Sequence, residues 1–242
     1  MSKMPYPTNR FNSARNPKLA TVLVGSELER FVVHESVLTH HSDFFRAALT
    51  GGFTEATEKM VKLKEEDSDI FEYSVHWLYY QRFPENDEFD NPELVKRFAY
   101  PEEDYPDIEN AIKLYIFGEK YGIKELRKNS LDLLCRIMDN ENSPLPANKT
   151  VKLAFRCLSH RDPLLRLLVD MFLVHGKEDS DELVEIYGYV PFLQAMWRRY
   201  IVYSNALGDG EEMLVELDPC NYHDHTSDGE MTACKKRREI ED

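Results

Sequence analysis

Cys220, His223, His225 and Cys234 fall within fifteen positions near the end of the chain, in CNYHDHTSDGEMTAC. Zinc takes four thiolate or imidazole ligands at the corners of a tetrahedron, and a segment of this length can close around one ion. The spacing, Cys-x2-His-x-His-x8-Cys, matches no common finger, and the two histidines bracket a single residue that must bend sharply. Two readings stay open: a zinc site on these four residues, or a polar tail with scattered ligand-type side chains and no cofactor. His34, behind the apolar run Phe31-Val32-Val33, is the other histidine placed where chemistry could occur. A catalytic or metal-bound histidine needs partners, and no His-Glu-x-x-His or Cys–His pairing surrounds it. His34 therefore reads as a piece of architecture at the start of a helix. The chain has no Gly-x-Ser-x-Gly, no phosphate-cradling glycine loop and no dinucleotide fingerprint. Its 44 acidic residues make carboxylate pairs inevitable by chance. No catalytic residue is assigned, and the expectation is a protein that is not an enzyme.

The elements that would position these side chains follow from periodicity. Thr21–Val24 and Phe31–His34 are short β-branched runs separated by Gly25 and a polar turn, which predicts two antiparallel strands. Met60–Lys64 alternates apolar and basic residues, a third strand with one wet face. Helical spacing takes over afterwards. Ile70, Phe71, Val75, Leu78 and Tyr79 share one face, Ile108, Ala111, Ile112, Tyr115 and Ile116 another, and Leu131, Leu134 and Met138 a third. Between the first two helices, Gln81–Asp107 is acidic and broken by prolines, which predicts a mobile loop. Beyond NENSPLPAN (140–148) three more helices are expected, on Val151, Ala154, Phe155 and Leu158, on Leu164, Leu167, Leu168, Met171 and Phe172, and on Leu193, Met196, Trp197, Tyr200 and Ile201. Asp162-Pro163 supplies an N-cap and first-turn proline to the second of these. Asp179 with Glu182 resembles a capping box. Cys135 and Cys157 sit in apolar helical patterns and are expected as buried, inert thiols.

Bulk properties exclude several classes. The net charge is −14 and the pI about 5.1, which disfavours phosphate polymers and anionic membrane surfaces. No run approaches the roughly 18 apolar residues that span a bilayer. Residues 1–19 lack an apolar core and are interrupted by Pro5, Pro7 and Pro17, so a disordered tail is expected and not a secretory signal. Four cysteines and no signal imply a reducing, cytoplasmic or nuclear setting. Lys235–Arg238 reads as a solvated charge run or as a nuclear-import patch.

TVLVG, FVVHESVL, SDFFRAAL, GGFTEA, MVKL, FEYSVHWLYY and EKYGIKELRKNSLDLL, in this order, resemble a BTB/POZ domain of the kind abundant in filamentous fungi. The resemblance covers about half the chain, from Ala20 to about residue 140. It implies an α+β fold, a small sheet packed on helical hairpins, here followed by an all-helical extension. The resulting organisation is a tail at 1–19, a BTB/POZ-like domain at 20–140 with its acidic insertion at 81–107, the extension at 141–204 and a polar tail at 205–242.

The resemblance also implies a protein–protein interaction module, with His34 as a fold signature. Phe53-Thr54-Glu55 is similar to the hydrophobic-x-Glu signature of cullin-binding members, so Phe53 and Glu55 become binding candidates, with Phe45 and Tyr121 next. A cullin partner would make the chain a substrate adaptor of a ubiquitin ligase. The alternative is a self-associating scaffold or a transcription-linked regulator. Strand-swapped dimeric members pair a buried Asp near the first strand with a basic residue after the signature His. Ala20-Thr21 and Glu35 stand at those places, so Glu35 is expected in water and the chain as a monomer or weak dimer. No nucleic-acid or membrane partner is expected.

Overall fold

A computed structural model describes residues 17–86, 88–99, 107–138, 145–176, 185–186, 188–206, 219–222, 229 and 231–232. The chain divides into two compact units, Met1–Val95 with Phe117–Leu126, and Lys96–Ile116 with Arg127–Asp242.

In the first unit, β1 (Leu19–Val24) lies between β2 (Glu29–His34) and β3 (Met60–Leu63). The β1–β2 pair is antiparallel, with Ala20 opposite Val33 and Val24 opposite Glu29. β1 and β3 run parallel, Val22 opposite Val61. A parallel pair needs a crossover, and three short helices supply it: α1 (Glu35–His41), α2 (Asp43–Thr50) and α3 (Thr54–Glu58). Alternation places Ala20, Val22, Val24, Val61 and Leu63 on one buried face. Helix α4 (Ser68–Tyr80), started by the Asp67 side chain accepting from Asp69 N, meets the sheet at β2, where Phe31 packs edge-on with Phe71. Its inner face holds Ile70, Phe71, Tyr73, Trp77 and Leu78. Both Val75 and Tyr79, expected on that face, are only partly buried.

The acidic insertion is folded where it is described. Phe83 and Leu94 are buried, and Pro92–Phe98 form helix α5. Arg82 grips Asp90 with both terminal nitrogens, at 2.6 and 2.9 Å, and Glu85 N donates to the same carboxylate. This charge-assisted fork supplies the order that apolar burial alone would not.

Helix α6 (Ile108–Lys120) and helix α7 (Lys124–Met138) are each divided between the units. Residues 96–116 and 127–138 group with the helices that follow, not with the sheet. Polar bonds inside the second unit account for this. Tyr115 donates to Asp162 Oδ1 at 2.8 Å, Arg127 reaches both residues, and Glu109 accepts from Ala147 N and Thr150. Helix α8 (Asn148–Cys157) and helix α9 (Pro163–His175) follow, α9 capped by Asp162 with Pro163 in its first turn. Helix α10 (Val190–Ala206) packs on both.

Several expectations are corrected. Leu193, Trp197, Tyr200 and Ile201, expected to be buried, are 42, 62, 45 and 40% exposed. A buried charge orients α10 instead. Asp170 is fully buried and takes the guanidinium fork of Arg199 at 2.7 and 2.6 Å, while Phe192 packs edge-on against Phe172. Leaving that carboxylate unpaired would cost more than exposing an apolar stripe. Cys157 is exposed, whereas Cys135 is buried as expected. Within the expected polar tail, Pro219–Asn221 form a 3-10 turn, and the following Tyr222 is buried and donates to Asp170. Residues 1–16 and the Asp179/Glu182 capping box lie outside the described residues. Among the described residues, no helix is long and apolar enough to cross a membrane.

Candidate protein-interaction site

Helix α2 presents the surface to which the sequence pointed. Ser42 starts it, its hydroxyl accepting from Phe45 N at 3.0 Å while donating to Tyr121 O at 2.6 Å. One side chain thus caps α2 and ties it to the turn after α6. Gly122, in the left-handed region at φ +63°, makes that turn, and a Cβ there would approach Asp43 Cβ to 3.3 Å. Phe45 and Leu49, four apart, face inward and are fully buried. Phe44, a third of a turn away, is 40% exposed.

Phe45 and Tyr121 are therefore core residues and not a partner surface. Their rings stack 5.9 Å apart, and Tyr121 also meets Phe117 and the inner edge of Phe44. The Tyr121 hydroxyl donates to Glu66 Oε1 at 2.9 Å, and burial, then the Glu66 charge, pushes its pKa well up. Tyr121 buttresses the ring that is exposed. Sequence reasoning missed Phe44. Projecting residues 43–50 at helical pitch would have separated it from Phe45.

Helix α2 ends at Gly51, whose N–H bonds Ala47 O at 3.0 Å. A Cβ on Gly51 would stand 2.4 Å from that oxygen and 3.3 Å from the Phe53 ring, whereas nothing lies within 4 Å of one on Gly52. The first glycine thus allows a close backbone approach and the second leaves the loop open. Phe53 caps α3 from an extended conformation and is 64% exposed. Glu55 follows in the first turn of α3, exposed, where a carboxylate also complements the helix dipole. Phe53, Glu55 and Phe44 are the exposed members of this set.

Glu35 departs from its expected place in water. It is buried, and Lys59 Nζ reaches its Oε1 at 3.0 Å while also donating to Leu49 O at 2.8 Å. Lys59 holds left-handed backbone, φ +51°, at the end of α3. The basic partner of Glu35 thus comes from the far side of the crossover.

His34 Nδ1 lies 2.7 Å from the Tyr79 hydroxyl, which also accepts from the His34 backbone N–H at 3.1 Å. The ring fastens the end of β2 to α4. Of the zinc candidates, Cys220 is buried, while His223, His225 and Cys234 lie outside the described residues. Among the described residues no three His, Cys, Asp or Glu side chains gather as metal ligands would.

A family model for the BTB/POZ domain matches residues 11–96. The chain is similar to "Kelch repeat and BTB domain-containing protein 8" of Homo sapiens, 24% identical over 164 residues, covering 63% of this chain and 24% of the relative. The Danio rerio and Xenopus tropicalis proteins of that name are 27 and 26% identical over 115 and 117 residues, covering 43 and 44% of this chain and 19% of each relative. The chain spans about a quarter or less of these relatives' length. With its three-stranded sheet and surrounding helices, the chain carries a BTB/POZ domain at residues 11–96.

Proposed function

We propose that the chain is a protein–protein interaction module whose BTB surface takes a cullin, making it a substrate adaptor of a cullin-based ubiquitin ligase. The observation that carries this is Phe53, a large ring 64% exposed on an open loop that Gly51 fixes in place. Interface energy concentrates in such aromatic anchors. Phe44, backed by Tyr121, offers a second ring, and the exposed Glu55 offers a charge that orients a partner at the rim. Names of relatives that join BTB to kelch repeats are consistent with an adaptor. The Glu35–Lys59 pair closes within one chain, so no partner chain is required to neutralise Glu35. This supports a monomer or weak dimer, in a cytoplasmic or nuclear setting.

The test is titration of purified chain with the N-terminal domain of a cullin by calorimetry. Phe53→Ala should weaken binding by about 2 kcal/mol or more, with an unchanged melting temperature because the ring is exposed. If the parent chain binds no cullin, or Phe53→Ala melts early with affinity intact, the adaptor role falls.

A further inference from the structure

We propose that a groove among α8, α9 and α10 of the second unit binds an acidic peptide of a protein partner, with carboxylates flanking apolar side chains. The groove encloses about 510 Å³, within the range of roughly 300–1,000 Å³ typical of ligand sites. Leu165 and Val169 of α9 form its floor and are 4 and 1% exposed. Arg161, Arg166 and Arg198 stand around it with their side chains largely in solvent. Arg166 donates to Asn221 O and lies over the Tyr222 ring, both uncharged partners. Arg161 and Arg198 have no carboxylate partner among the described residues. The one carboxylate on the wall, Asp162, is drawn away by Leu164 N, Tyr115 and Arg127. The fourth arginine, Arg199, is neutralised by Asp170.

Three uncompensated guanidiniums thus surround one aliphatic floor, in a chain whose net charge is −14. A guanidinium fork matches a carboxylate with two parallel hydrogen bonds, and the floor accepts the apolar side chains between them. The net charge of −14 opposes any polyanion, and the dense charge of a phosphate polymer more than that of a short peptide. The lining aromatic, Phe155, has its ring packed edge-to-face with Tyr189 and Phe192, so among the described residues the groove offers at most one ring on which a base could stack. Charge complementarity therefore selects an acidic, apolar peptide. The groove shares no residue with the Phe53 loop, so the inference stands whether or not a cullin binds there.

The test is fluorescence anisotropy of the full chain with labelled peptides. A peptide of alternating Glu and Leu should bind and weaken as salt rises. Its Gln/Leu and Glu/Ser counterparts should each bind about tenfold less tightly or worse. Arg161→Glu with Arg198→Glu should weaken the Glu/Leu peptide by about tenfold or more, with circular dichroism unchanged because neither side chain is bonded among the described residues. Should that variant unfold, the peptide series decides by itself. No binding by the parent chain, equal binding of the three peptides, or equal affinity in a folded double variant would overturn the proposal. So would displacement of the peptide by single-stranded DNA at matched charge, which would point to a nucleic-acid groove.

Discussion

Removing the Asp170 carboxylate is a demanding perturbation of the second unit. The group is fully buried, grips Arg199 through both oxygens and accepts from the Tyr222 hydroxyl at 2.9 Å. Asp170→Ala leaves Arg199, whose side chain is 24% exposed, without a counterion. It also leaves the Tyr222 hydroxyl, on a residue 1% exposed, without an acceptor. Breaking a buried pair costs about 3–5 kcal/mol, and an orphaned hydroxyl adds about 1–3 kcal/mol. Water reaching the guanidinium returns part of this, so a loss of about 3–4 kcal/mol is expected. In urea, with a slope of about 2–3 kcal/mol per molar, the midpoint of the second unit should fall by about 1–2 M. Arg199→Ala should lose a comparable amount, and the double variant clearly less than the sum, because the second change removes an already broken pair. A loss under about 1 kcal/mol for Asp170→Ala, or additive single changes, would mean that the pair does not set the orientation of α10.

Other outcomes are equally direct. Gly51→Ala should destabilise the first unit by about 1–3 kcal/mol, since the Ala47 carbonyl must move, while Gly52→Ala should stay within about 0.5 kcal/mol of the parent by thermal melt. Burial, then the neighbouring His40, lowers the His41 pKa from 6.5 to about 4. The folded state therefore favours the neutral ring, so its contribution is complete above the unfolded pKa of 6.5 and declines as pH falls toward about 4. After allowing for screening of a half-exposed ring, the loss is about 1–2 kcal/mol. His41→Gln should flatten that part of the stability–pH curve, and an unchanged slope would refute the assignment.

The sheet was legible because each strand carries a two-residue alternation and a turn signal of its own. Val22 and Val61 needed no knowledge of each other to be placed inside. The Asp162 cap of α9 was legible for the same reason, since its partner lies two residues away. What failed was non-local. Nothing near Glu35 announces Lys59, which arrives after three helices. The apolar spacing of α10 was read correctly as a stripe, yet the Asp170–Arg199 pair turns that stripe outward. In the candidate site, Phe53 was named only through its likeness to the hydrophobic-x-Glu signature, and its exposure appears only in the folded loop, whereas Phe44 and Phe45 are adjacent in sequence and differ only in helical phase. Arg161 and Arg198 come to the rim of one groove only through the packing of α10 on α9.

The chain has two tryptophans, and the fold gives them opposite surroundings. Trp77 belongs to the sheet unit and is 1% exposed; Trp197 belongs to the helical unit and is 62% exposed. Their fluorescence therefore separates the units without any label. A soluble quencher should silence Trp197 first and leave the bluer emission of Trp77, which then reports on the sheet unit alone. The His41 ring stands 5.8 Å from Trp77, close enough for its protonation to dim that same emission. Optical spectroscopy on the unmodified chain can thus follow each unit unfold by its own signal, and one titrating histidine through the Trp77 emission.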